Sequence, residues 1–127
     1  RSASCDAFCL AAPDAEGDSP EVLELLPQLG GAEVFGYKPW AICVYSSFSN
    51  PRRHLSLRDA LTKINAVTVP EALHIPGVQQ LRRNAVDPAV EQSCSRMLDQ
   101  LEWYTNATKA HREEFGLPSP RYFELRR

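Results

Sequence analysis

Two spacings of apolar residues alternate along this chain: short continuous apolar runs, and stretches in which apolar residues recur every three or four positions. The first run, Asp6 to Ala12 (DAFCLAA), stops at Pro13 and a cluster of Asp14, Glu16, Gly17, Asp18 and Ser19, which predicts a strand followed by a loop. Ser19-Pro20-Glu21 has the form of a helix start, with an N-cap residue, a proline at the first helical position and an acid in the first turn. Val22, Leu23, Leu25 and Leu26 follow, Pro27 is expected to stop this helix, and Gly30-Gly31 completes the break. Trp40 to Tyr45 (WAICVY) is nearly all apolar, between Lys38-Pro39 and a polar stretch of Ser46, Ser47, Ser49, Asn50 and Pro51. That is the signature of a strand buried on both faces, as in a parallel sheet.

From about His54 to Asn65 the spacing turns helical, with Leu57, Ala60, Leu61 and Ile64 on one side and Ser56-x-x-Asp59 as a weak capping box near the start. A β-branched run, Ala66 to Val69, ends at Pro70, and a strand-like pulse follows at Leu73 and Ile75, with His74 alternating between them as a strand residue. Asp87-Pro88 opens the last helix, in which Val90, Cys94, Met97, Leu101, Tyr104 and His111 form the stripe to about Glu114, before Gly116 and Pro118. The whole predicts one α/β domain with helices on both faces of a parallel sheet containing Asp6–Ala12, Trp40–Tyr45 and Ala66–Val69, followed by a C-terminal tail over 116–127. Ligands of such sheets lie at the carboxyl ends of the strands. The loops Pro13–Ser19 and Ser46–Arg53 occupy that end.

The order Lys38-Pro39, the strand Trp40–Tyr45, Ser46, Leu57-Arg58, Leu61, Ala66-Val67-Thr68-Val69-Pro70 and Ile75-Pro76 resembles the NADPH-dependent FMN reductases of flavodoxin-like fold. Leu101-Glu102-Trp103-Tyr104 is similar to a stretch of that family's closing helix. The resemblance runs from roughly Asp6 to His111 and covers the second half of the family's fold. It implies a three-layer flavodoxin-like parallel sheet lacking the first β-α-β portion, FMN as cofactor and NADPH as co-substrate. Pro13, Asp14, Ala15 and Glu16 then stand at the family's first flavin loop, and Ser46, Ser47, Phe48 and Ser49 at the second. At the first loop Ala15 and Glu16 replace a tyrosine and an asparagine. The second loop lacks the family's glycines, and no glycine- and serine-containing phosphate loop occurs in the chain. Arg52, Arg53 and His54 lie close behind the second loop, placed to meet a phosphate of FMN or NADPH.

The missing first strand would leave Asp6–Ala12 as an apolar sheet edge, so the resemblance also implies a homo-oligomer, such as a dimer, or a completing chain. Two functions follow. One is hydride transfer from NAD(P)H to a flavin or quinone-type acceptor, in which the cofactor carries the chemistry and no side-chain acid, base or nucleophile is required. The other is a non-catalytic relative acting as an interaction or structural module.

Charge and cysteine content narrow the alternatives. In 127 residues, 14 Lys and Arg face 16 Asp and Glu, a net charge of −2 without a long like-charge run, so no nucleic-acid or anionic-membrane footprint is expected. The absence of a membrane-length apolar run or signal-peptide pattern makes the cytoplasm the expected compartment. Arg1 opens the sequence, as expected of a processed, trimmed or internal N-terminus. Cys5, Cys9, Cys43 and Cys94 show no zinc-type spacing, and the last three fall in apolar patterns, where a free thiol acts as a small hydrophobe. Trp103 lies off the helical stripe, at a rim or a subunit contact.

Overall fold

The computed structural model describes residues 4–13, 20–45, 53–77 and 86–118. The elements are β1 (Phe8–Pro13), α1 (Pro20–Gln28), α2 (Gly31–Phe35), β2 (Pro39–Tyr45), α3 (Arg53–Lys63), β3 (Val67–Ile75) and α4 (Pro88–Phe115). The three strands form one parallel sheet in the order β1-β2-β3. The chain is therefore α/β, as the alternation of apolar runs and helical spacing predicts.

Two consecutive crossovers in the same direction put their helices on the same face when both have the usual right hand. Leu26 of α1, Phe35 of α2, and Leu57 and Leu61 of α3, with Ile64 just beyond it, are buried in one cluster with Ala12, Trp40, Ile42 and Val44 of the sheet. Phe8 stacks on Trp40 with ring centroids 4.7 Å apart, and Phe35 meets Trp40 edge-on at 5.3 Å, closing the amino end of this layer. The alternate residues of the sheet, Ala41, Val69 and Leu73, pack with Met97 of α4 on the opposite face. Side chains alternate along a strand, so the uniformly apolar β2 feeds both layers. Pro39, Trp40, Ala41, Ile42 and Val44 are all buried.

Several boundaries differ from expectation. β1 begins at Phe8 and includes Pro13 as its last residue. α1 passes through Pro27 to Gln28, and the short α2, which no apolar spacing announced, follows the glycine pair. α3 starts at Arg53, so Ser56 lies inside the helix and its hydroxyl donates back to the Arg53 carbonyl at 2.9 Å instead of capping. β3 does not end at Pro70. Between the pairs Trp40↔Thr68 and Ile42↔Ala72, β3 advances four positions while β2 advances two, and this bulge accommodates Pro70, which has no N–H to give a ladder.

Both helical layers hold the bulge. Arg58 of α3 donates to the Pro70 carbonyl at 2.7 Å and to Thr68 Oγ1 at 3.2 Å. From the other face, Gln100 of α4 accepts the Glu71 backbone N–H at 2.8 Å. Ser93 and Arg96 donate to the Glu71 carboxylate at 2.8 and 3.1 Å.

α4 opens as its sequence predicts, with the Asp87 carboxylate accepting the Ala89 N–H at 2.9 Å. Its inward stripe holds from Val90 to Tyr104, but His111 is exposed and packs on Phe115. Arg112 turns inward in its place, donating to the Tyr37 carbonyl at 3.1 Å and to Asp6 at 3.2 Å. The helix has by then passed the core and reached the amino ends of the strands, where the available partners are polar. No helix among the described residues is long and apolar enough to cross a membrane.

Candidate functional site

The three strands finish level: Pro13 is opposite Tyr45, and Tyr45 is opposite Ile75. Beyond this carboxyl end lie the two loops expected to carry a ligand. Asp14, Ala15, Glu16, Ser46, Ser47, Phe48 and Ser49 are outside the described residues, as is Arg52. Of the eight expected flavin-contact positions, Pro13 is the one described, at the exposed tip of β1.

At the same end, Arg53 is the first residue of α3 and is only 9% exposed, with its Nε fully enclosed. Two effects put it there. The helix must start at the sheet's carboxyl end to cross back over β2, and Leu57, one turn on, is drawn into the core. The next residue, His54, meets His74 of β3 edge to face, with ring centroids 4.9 Å apart. Leu73 and Ile75 face α4, so the intervening His74 faces α3, where its Nδ1 is enclosed.

A permanently charged guanidinium and two imidazoles thus gather where α3 begins and β3 ends. Such a donor set suits an anion, above all a phosphate, and the free N–H groups of a helix start add to it. Arg53 and His54 were legible as candidates from their place behind the second loop. His74 was read as an ordinary strand residue, and the partner that changes this reading, His54, is 20 positions away in the sequence.

Other chemistry-bearing groups have structural roles. Cys9, Cys43 and Cys94 are free, and the thiols of Cys9 and Cys43 are pushed up, by burial first and by neighbouring thiols second. Raised thiols are poor nucleophiles, in keeping with a packing role. Among the described residues no group of three or more His, Cys, Asp or Glu is placed to hold a metal ion. An open depression of about 420 Å³ is lined by Pro88, Glu91, Gln92, Ser95 and Arg96, all from one outer face of α4. Trp103 is 67% exposed and touches Tyr104 edge-on.

A scan against protein-family models and a search of curated proteins found no match to this chain.

Proposed function

We propose that the chain is a cytoplasmic NAD(P)H-dependent FMN reductase-like flavoprotein that passes hydride from NAD(P)H to a flavin or quinone-type acceptor, on a flavodoxin-like sheet. The observation that carries this reading is the buried Arg53 beside the His54–His74 pair at the carboxyl end of a parallel sheet. These residues fit a phosphate-bearing group: Arg53 supplies fixed charge from a protected position, and the two imidazoles supply N–H donors from the strand and the helix. The quoted run from Lys38 to Pro76 supports flavin in particular. FMN, when bound, supplies the hydride acceptance, and the protein binds it, orients its ring and limits access of water. The flavin ring lies across the loops after β1 and β2, with Pro13 at one side.

FMN titration followed by flavin fluorescence tests the reading. Quenching that saturates at tens of micromolar FMN supports it, and Arg53→Met then weakens binding by about 10- to 100-fold, the equivalent of ~1.5–3 kcal/mol for a hydrogen bond to a charged group. No quenching in that range moves the assignment to the non-catalytic interaction module.

A further inference from the structure

We propose that the outward edge of β1 is the docking site of the chain's own C-terminal segment, with residues 121–125 (Arg-Tyr-Phe-Glu-Leu) adding a fourth parallel strand. Among the described residues β1 pairs with β2 alone, so one side of its backbone has no described partner. Its sequence, FCLAAP, has no charge, which is the composition of an interior strand and not of a natural edge. α4 packs over β3 and β2, leaving Cys9 and Ala11 exposed on its face of β1, and Leu98 of α4 is 51% exposed.

The course of α4 selects the occupant. The helix runs back from the carboxyl end of the sheet, and its last turns lie at the start of β1, where Lys109 and Arg112 reach Asp6 at 3.1 and 3.2 Å. Gly116 ends it with φ of +76°. The chain thus leaves α4 beside the amino end of the strand that needs a neighbour. A segment running on from there along the edge is parallel to β1.

Length and composition agree. Residues 117–120 (Leu-Pro-Ser-Pro) make a connection of ordinary length for a helix-to-strand loop. Five residues at about 3.3 Å each cover roughly 16 Å, most of the length of the six-residue β1. Phe123 and Leu125 alternate with Tyr122 and Glu124, while Arg121, Glu124, Arg126 and Arg127 supply the charges that β1 lacks and that natural edge strands carry.

Handedness gives an independent check. The crossovers from β1 to β2 and from β2 to β3 move one way across the sheet with their helices on one face. A return from β3 past β2 and β1 moves the opposite way, with α4 on the opposite face. Reversing both direction and face keeps the crossover right-handed, as parallel connections almost always are.

Amide hydrogen exchange and sedimentation test the proposal on the intact chain, a variant ending at Pro118, and the double variant Phe123→Asp/Leu125→Asp. In the intact chain, a monomer, the outward amides of β1 are expected to exchange at least ten-fold more slowly than in either variant. The amides shared by β2 and β3 should stay equally protected in all three, which separates loss of docking from loss of fold. Equal exchange of the β1 amides in the intact chain and the variants overturns the proposal. So does a protection that grows with protein concentration, which identifies a second copy as the cover.

Discussion

Tyr37 donates its backbone N–H to the Asn65 carbonyl at 2.7 Å, and both residues hold a left-handed backbone with φ of 60°. They stand just before β2 and β3, and the ladder begins one step on, where Val67 donates to the Lys38 carbonyl at 3.1 Å. Each chain thus turns sharply into its strand at the same level. Arg112 bonds the Tyr37 carbonyl and so ties this entrance to α4.

Left-handed backbone costs an L-residue energy because Cβ crowds the following carbonyl; asparagine tolerates it and β-branched residues do not. Asn65→Val should therefore lower stability by about 1–2 kcal/mol in urea unfolding, with the loss visible as an earlier midpoint. Asn65→Gly should leave the midpoint nearly unchanged, since glycine enters this region freely. Equal midpoints for the valine and glycine variants would show that the turn is not what this position contributes.

The bulge at Pro70 gives a second expectation. Gln100→Ala removes the acceptor for the Glu71 N–H, and Arg58→Ala removes the donor to the Pro70 carbonyl. Each should cost on the order of 1 kcal/mol. The two side chains reach the bulge from opposite faces without touching each other, so the double variant should lose about the sum. A double variant no worse than the worse single one would mean that the bulge relaxes as a unit.

The layer arrangement was legible because a buried parallel strand and an amphipathic helix write different spacings, and β2, α3 and α4 are long enough to show them. β3 was cut short because Pro70 normally ends a strand; only the partner strand and the two flanking helices make room for it. α2 has five residues, too few to display a period. In the candidate site, Arg53 and His54 were visible from their place after a polar loop, whereas the role of His74 depends on a contact between α3 and β3 that local spacing does not encode.

Gly36 is the tightest backbone position among the described glycines that need no positive φ. A Cβ there would run into the Ala32 carbonyl oxygen and lie 3.2 Å from that of Ile64, both fixed backbone atoms. Gly36 also closes α2 by donating to Ala32 at 3.0 Å. Gly36→Ala should therefore destabilise by about 1–3 kcal/mol, the usual cost of overpacking, despite alanine's lower backbone entropy cost. A midpoint at or above that of the unchanged chain would show that α2 shifts freely, and that Phe35 is not held by the turn behind it.

Acid should loosen α4 before it unfolds the sheet. The Asp6 carboxyl is held below its ordinary value chiefly by its hydrogen bond from Lys109, with the charges of Lys109, Arg112 and Lys38 adding to this. Glu71 is lowered by hydrogen bonds from Ser93 and Arg96, with the charges of Arg96 and His74 behind them. A carboxylate with a lowered folded value contributes its full stability above the unfolded value and loses it as pH falls through the folded one. For both groups the loss therefore sets in as pH drops below about 4. Lys109 is raised by its bond to Asp6, so its own share is lost only in the alkaline range, as pH rises through its folded value. Both carboxylates reach solvent, and high salt should weaken their pairs. Hydrogen exchange of the α4 amides between pH 6 and pH 3, corrected for intrinsic rates, is expected to show opening of the helix while the β2–β3 amides stay protected. The double variant Asp6→Asn/Glu71→Gln should begin less protected and show a flatter pH dependence. If its slope equals that of the unchanged chain, these two carboxylates are not the groups through which acid reaches the helix.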